Sequence, residues 1–127
     1  MKPIIMAAIF AAGLCGAASA RAADVAKGKS IFAEQCAACH SAASGQNGIG
    51  PSLYGVYGKP AAMTAGFDFS PALKSAHIVW TAPALDKFLA NPQSDVPGTK
   101  MPYMGMANAT DRADVIAYLA TLSAPSP

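Results

Sequence analysis

Two cysteines and a histidine form the most constraining feature of this 127-residue sequence, because Cys36 and Cys39 are separated by two alanines and His40 follows directly. In a helical turn, positions i, i+3 and i+4 lie on one face, so both thiols and the imidazole can reach the same ligand. This spacing is typical of covalent haem attachment, with the adjacent histidine as an iron ligand. We therefore predict one haem c, linked through Cys36 and Cys39 and ligated by His40.

Two other kinds of site also use closely spaced cysteines. A structural zinc site needs four ligands, and the sequence after residue 23 holds two cysteines and two histidines, with no paired motif around His77. A thioredoxin-like dithiol lies within alternating strands and helices, and that pattern is absent from the sequence. Both alternatives are disfavoured.

The first 23 residues have the organisation of a Sec-type signal peptide. Lys2 supplies a positive start, Ile4–Ala18 form an apolar run, and small residues between Ala18 and Ala22 are suited to signal peptidase. We predict cleavage near Ala20–Ala23 and export to the periplasm. The domain then covers residues 24–122, and residues 123–127 form a loose tail.

Two kinds of membrane anchor compete with cleavage. The apolar run is shorter than the roughly 20 residues that span a bilayer, and Gly13 and Gly16 interrupt it. A lipid on Cys15 is disfavoured because Leu14 occupies the position where a lipoprotein signal has a small residue. The sequence therefore predicts no stable membrane insertion.

Charge excludes one class of partner. Nine Lys and Arg residues become seven once Lys2 and Arg21 are removed with the leader, and they face seven Asp and Glu residues. Nucleic-acid binding favours a basic surface with several phosphate contacts. A nearly neutral chain of this kind is not expected to bind nucleic acid.

The coarse secondary structure is all-α. Helical apolar spacing runs from Asp24, a predicted N-cap, to Cys36, from Thr81 to Asn91, and from Thr110, a second predicted N-cap, to Leu122. The glycine- and proline-rich segment 41–79 shows little regular structure, and a bound haem would organise so long a segment. We predict three main helices and long loops around one haem.

Several further motifs occur in the order found in class I cytochromes c, and the whole mature chain resembles that family. They are Gly28-Lys29, Gly50-Pro51-Ser52-Leu53, Trp80, Asn91-Pro92, Pro97-Gly98-Thr99-Lys100-Met101 and Asp111–Leu119. The resemblance implies the small cytochrome c fold, with Gly28 and Tyr118 at the crossing of the first and last helices. It also implies that the Pro51 carbonyl accepts the ring hydrogen of His40.

The sixth iron ligand is not determined by the residues alone, since histidine and methionine are both usual. The candidates are His77, Met63, Met101, Met104 and Met106. The resemblance selects Met101, and it implies that Trp80 and Thr99 hydrogen-bond the haem propionates. Met104 and Met106 are then expected to form the pocket wall, and His77 to lie at the surface or the haem edge.

Some positions depart from the mitochondrial members of the family. Phe69 and Phe88 stand where those proteins have tyrosines, Lys59 replaces an arginine, and Leu73 stands near the place of an asparagine. The lysine ring used for docking is also thinned, and the positions without a lysine are Gln35, Gln93, Ser94, Ala107 and Asn108. Weaker electrostatic steering is expected, with more apolar contact through Tyr103 and Met104.

The resemblance implies a soluble, monomeric periplasmic carrier of single electrons rather than an enzyme. Its redox partner proteins would be a cytochrome bc1-type complex, a terminal oxidase, a reductase or a dehydrogenase. Two alternatives stay open. One is a small peroxidase or gas-binding protein in which Met101 is displaced, and the other is a dedicated subunit of a single dehydrogenase.

Overall fold

The computed structural model describes Gly13 and residues 21–123, and its regular elements are helices. They are α1 (Val25–Gln35), α2 (Pro71–Ser75), α3 (Ala82–Ala90), α4 (Pro92–Asp95) and α5 (Ala109–Ala120). Within these described ranges there is no strand, only an isolated antiparallel bridge between Pro60 and Val79. The all-α prediction is confirmed.

Most of the predicted leader and the end of the predicted tail lie outside the described residues, which include only Gly13 and residues 21–23 of the leader. The predicted cleavage and the loose tail therefore stay predictions. Among the helices that are described, none combines the length and apolarity needed to cross a membrane.

Helix α1 begins as predicted and ends at the cysteine motif. The Asp24 carboxylate accepts the N–H of Lys27 at 3.0 Å, which caps the first turn. Ile31 and Phe32 form its buried side. The N–H of Cys36 donates to the Phe32 carbonyl at 2.9 Å, so the helix delivers the first cysteine from its last turn.

Helix α3 also begins as predicted, with the Thr81 hydroxyl accepting the N–H of Ala84 at 3.3 Å. The predicted N-cap of α5 was wrong, because Asn108 and not Thr110 caps that helix. The Asn108 side-chain oxygen accepts the N–H groups of Thr110 at 2.9 Å and Asp111 at 3.2 Å. One amide oxygen thus satisfies two N–H groups that have no partner within the helix.

Helices α1 and α5 cross at Gly28. A Cβ on Gly28 would overlap the backbone carbonyl of Asp114, so glycine permits the close approach of the two helices. One turn further along, the rings of Phe32 and Tyr118 pack edge to face with centroids 5.4 Å apart. This confirms the predicted crossing of the first and last helices.

The carboxylate of Asp114 is fully buried beside that crossing. It accepts the backbone N–H of Asp24 at 2.8 Å and lies 3.3 Å from the guanidinium of Arg21, a residue of the predicted leader. The Asp24 hydrogen bond, with help from Arg21 and Lys27, lowers the pKa of Asp114. The ionised side chain therefore ties α5 to the beginning of α1.

Two short helices were not predicted. Helix α2 is capped by Ser70, whose hydroxyl accepts the N–H of Leu73 at 3.1 Å, and α4 is capped by Asn91, whose side chain accepts the N–H of Ser94 at 3.1 Å. Both carry proline in their first turn. Helices of five and four residues are too short to show a hydrophobic period.

Candidate functional site

A cavity of about 810 Å³ lies between the helices and the long loops, within the usual size range of ligand sites. Its walls are mainly apolar, with the buried side chains of Leu85, Phe88 and Leu89 from α3 among them. The seven residues predicted to attach, ligate or orient the haem all line this cavity. These residues are Cys36, Cys39, His40, Pro51, Trp80, Thr99 and Met101.

The cysteine motif forms a turn that continues the direction of α1. The N–H groups of Cys39 and His40 both donate to the Cys36 carbonyl, at 3.1 and 2.9 Å. Both thiols are free and half-buried. The turn thus brings two thiols and one imidazole to the same wall of the cavity.

The Cys36 thiol lacks the activation that a redox dithiol requires. Burial, with a smaller contribution from Cys39, raises the pKa of Cys36 to about 11. Thioredoxin-like pairs have a lowered thiol pKa, which supplies the reactive thiolate. In addition, no cluster of three or more potential metal-binding His, Cys, Asp or Glu residues occurs in residues 21–123. The dithiol and zinc alternatives both lack support here.

The imidazole of His40 is held by the segment that follows it. Its Nδ1 lies 2.7 Å from the Pro51 carbonyl oxygen, which can only accept, so Nδ1 carries the hydrogen. A Cβ on Gly50 would overlap the ring. The unprotonated Nε2 is left as the nitrogen that can bind a metal.

Hydrogen bonds fix the position of the Pro51 carbonyl. The Gly50 N–H donates to the Cys39 carbonyl at 2.8 Å, and the Ser52 N–H donates to the side chain of Asn47 at 2.9 Å. The amide of Asn47 donates in turn to the Ala65 carbonyl at 2.9 Å. Asn47 was missed by the sequence analysis, because nothing in a glycine-rich loop distinguishes it from an ordinary turn residue.

The loop that carries Met101 is held from several directions. Gly98 adopts a φ of +89°, and the Thr99 N–H donates to the Val96 carbonyl at 3.0 Å. The Thr99 hydroxyl accepts the Met101 N–H at 3.3 Å, and the Gln93 amide donates to the Met101 carbonyl at 2.6 Å. Gln93 was not predicted as a site residue, because its role depends on the fold of a loop eight residues away.

The remaining methionines and His77 occupy different positions. Met106 is buried in the cavity wall at 5% exposure, as predicted, whereas Met104 is 87% exposed, so its predicted wall position was wrong. Gly105 separates the two, packed against the Ala90 carbonyl where a Cβ would overlap. The chain therefore turns Met106 inward and leaves Met104 outside. His77 is exposed and does not line the cavity.

Trp80 is positioned by its backbone and its ring. Its N–H donates to the Lys59 carbonyl at 2.9 Å, and its carbonyl accepts from Gly58 at 2.8 Å. The indole lies 5.0 Å from the ring of Phe88, measured between centroids. Phe69 and Lys59, two of the positions that depart from the mitochondrial pattern, also line the cavity.

The donor set and the cavity fit a covalently attached haem. Two thiols stand beside an oriented imidazole, a soft thioether is available from Met101, and the apolar walls suit a porphyrin. The fold and the site together define a small all-α protein of the c-type haem class.

The sequence matches the cytochrome c family over residues 25–123, and the chain belongs to this family. It is 46% identical to a cytochrome c of Euglena viridis, over 78% of this chain and 97% of that protein. A cytochrome c2 of Rhodomicrobium vannielii is 43% identical, over 95% of this chain and 97% of the relative.

A solved structure, cytochrome cH from Methylobacterium extorquens, has a similar fold. Its TM-score is 0.72 at 42% identity, covering 77% of this chain and 98% of that chain. Family membership establishes covalently attached haem c as the cofactor and electron transport as the class of function.

Proposed function

We propose that this protein is a soluble, monomeric periplasmic carrier of single electrons, with one haem bound through Cys36 and Cys39 and its iron ligated by His40 and Met101. The observation that carries the proposal is the convergence of these residues on one cavity while His40 is oriented by Pro51. Haem supplies the one-electron redox centre, and the chain determines its ligands and surroundings.

His40 and Met101 have complementary roles in this proposal. The Nδ1–H donated to Pro51 fixes the tautomer of the imidazole and makes Nε2 a better ligand. A methionine thioether raises the potential relative to a second imidazole, and it closes the site to small molecules. The hydrogen bond from Gln93 restrains the backbone of Met101.

The rest of the pocket limits water and holds the polar edge of the porphyrin. Trp80, Leu85 and Phe88 are buried at 9%, 6% and 6% exposure, so much of the wall is dry. The indole N–H of Trp80 and the hydroxyl of Thr99 are the groups that would donate to the propionates. A rigid and apolar pocket changes little on reduction, which favours rapid electron transfer over binding and turnover of a substrate.

The periplasmic location rests on the leader. The match between the whole chain and the cytochrome c2 of R. vannielii covers 95% of this chain. It therefore extends beyond residues 25–123 into the first 23 residues. The partners proposed for such a carrier are a cytochrome bc1-type complex, a terminal oxidase, a reductase or a dehydrogenase.

Carbon monoxide distinguishes the carrier from an enzyme with an open site. The exported protein should titrate as a single one-electron couple, and the reduced form should not bind carbon monoxide within minutes at neutral pH. Rapid and complete binding would show that the sixth position is open. That result would favour the peroxidase or gas-binding alternative.

A further inference from the structure

The loop that carries Met101 is fixed to the rest of the molecule at both of its ends. Before Met101, the Thr99 N–H donates to the Val96 carbonyl at 3.0 Å, and after it the Met106 N–H donates to the Leu89 carbonyl at 2.8 Å. Leu89 belongs to α3, and Val96 directly follows α4. Both ends of the loop are therefore held on the side of the cavity formed by α3 and α4.

Residues 102–105 lie between these two anchors, and within the described part of the chain they form a single hydrogen bond. The hydroxyl of Tyr103 donates to the side-chain oxygen of Gln35 at 2.5 Å, from a position 68 residues away in the sequence. Gln35 is the last residue of α1 and directly precedes Cys36. This bond thus joins the loop to the helix that delivers the first cysteine.

Both partners of this bond lie at the rim of the cavity, and we call it the rim hydrogen bond. Gln35 and Tyr103 both line the cavity, with Gln35 exposed and Tyr103 half-buried against the hydrophobic core. Met101 lines the same cavity and packs against the same core. The rim hydrogen bond therefore connects the wall that holds the cysteine turn with the loop that holds the proposed sixth ligand.

Pro102 makes the connection between Met101 and Tyr103 stiff. The pyrrolidine ring fixes one backbone torsion of Pro102 and confines the preceding residue, Met101, to extended conformations. The Gln93 amide restrains the Met101 backbone further, through the hydrogen bond at 2.6 Å. A movement that withdraws the Met101 side chain from the cavity is therefore transmitted to Tyr103 and pulls its hydroxyl away from Gln35.

We infer that Tyr103 is a positioning residue for the sixth ligand, because its hydrogen bond to Gln35 opposes the displacement of Met101 by small molecules. The inference rests on the proposed ligation by His40 and Met101. The anchors on α3 and α4 do not supply this restraint, since neither reaches α1. A hydrogen bond of ordinary net strength corresponds to about a fivefold change in the ratio of closed to open loop.

Imidazole titration of the oxidised holoprotein tests the inference, with imidazole as the probe that competes for the sixth position. Tyr103→Phe removes the hydroxyl and keeps the ring, so it should raise the affinity for imidazole about fivefold. Tyr57→Phe is the matched control and should leave the affinity unchanged, because Tyr57 is exposed and does not line the cavity. A lower urea midpoint of Tyr103→Phe with native affinity would overturn the inference, since the hydroxyl would then stabilise only the fold.

Changes at Gln35 show whether the hydroxyl acts through this partner. Gln35→Leu removes the acceptor and should raise the affinity for imidazole as much as Tyr103→Phe does. Gln35→Glu keeps a side-chain oxygen that accepts from the hydroxyl, so it should retain the native affinity. The double variant Tyr103→Phe/Gln35→Leu should show no further increase, because both changes remove the same interaction. Additive effects in the double variant would contradict the rim hydrogen bond as the restraint.

The near-infrared band of methionine ligation separates this inference from the proposed function. In the native protein the band should be present and should disappear as imidazole binds. If the native protein behaves in this way and Tyr103→Phe binds imidazole with native affinity, only the role of Tyr103 is contradicted. If the band is missing before imidazole is added, the proposed ligation by Met101 fails, and the positioning role of Tyr103 fails with it.

Discussion

The imidazole Nδ1 of His40 lies 2.7 Å from the carbonyl oxygen of Pro51, across a glycine that leaves no space for a side chain. A Cβ on Gly50 would overlap the imidazole ring, so the residue before Pro51 must be small for the hydrogen bond to form. The glycine and the proline thus act together, one by admitting the ring and the other by orienting it.

Gly50→Ala should therefore destabilise the holoprotein by about 2 kcal/mol, because the added methyl forces either the ring or the loop to move. Gly48→Ala is the matched control, since its new Cβ would approach only the Cys39 carbonyl at 3.3 Å. Urea unfolding followed by circular dichroism gives both values. Equal stability of the two variants would show that the ring is not confined at Gly50.

Gly28→Ala should destabilise the protein by about 3 kcal/mol, since the Cβ would overlap the backbone of α5 and separate the two helices. At an exposed helical site the same change would be stabilising by up to about 1 kcal/mol. Ser30→Ala on the exposed side of α1 is the control, and its effect should be within about 0.5 kcal/mol. Urea unfolding of both variants measures the difference. An unchanged midpoint for Gly28→Ala would contradict the close helix crossing.

The buried carboxylate of Asp114 should contribute to acid denaturation. Its hydrogen bond from Asp24, with the charge of Lys27 nearby, lowers the pKa of Asp114 in the folded state, and Arg21 adds to this effect only while the leader is attached. Because the unfolded value is about 3.9, the stabilisation is present above that pH and is lost as the pH falls through the lower folded value.

Asp114→Asn should consequently lower the urea midpoint of unfolding at pH 7. The difference in midpoint between this variant and the native protein should become smaller as the pH is lowered below about 4. Glu34→Gln serves as the control, because Glu34 is exposed and forms no ion pair among residues 21–123. A gap between Asp114→Asn and the native protein that stays constant with pH would contradict the lowered pKa.

Gln93→Ala should loosen the loop of the proposed sixth ligand, because it removes the 2.6 Å hydrogen bond to the Met101 carbonyl. The hydrogen bond is expected to stabilise the ligated loop by about 1 kcal/mol. Because imidazole competes with Met101 for the sixth position, losing this stabilisation should increase the affinity of the oxidised protein for imidazole about fivefold. Ser94→Ala, an exposed neighbour in α4, should leave this affinity unchanged. Equal affinities of the two variants would show that Gln93 does not restrain the loop.

Local chemistry explains what the sequence predicted well. Cys36, Cys39 and His40 act through their spacing within one turn. The order of the motifs around Gly50 and Met101 can likewise be read from the sequence without knowledge of the tertiary contacts. The predicted cap Asp24 was confirmed for the same reason, since it acts on an N–H three residues away.

Non-local contacts explain what was missed. Asn47 and Gln93 hold loops eight or more residues away, and nothing in their neighbours indicates that role. Met104 was placed in the pocket wall because it stands near the ligand in sequence, but the close packing of Gly105 against Ala90 leaves it outside. Asn108 and Thr110 are both good cap residues, and only the path of the preceding chain selects between them.

The near-infrared absorption of the oxidised protein tests the proposed methionine ligation, because ligation by a methionine sulfur gives a weak charge-transfer band in that region. We expect this band in the native protein and in Met106→Leu, and its loss in Met101→Leu while the haem remains covalently attached. Absence of the band in the native protein, or its persistence in Met101→Leu, would contradict ligation by His40 and Met101.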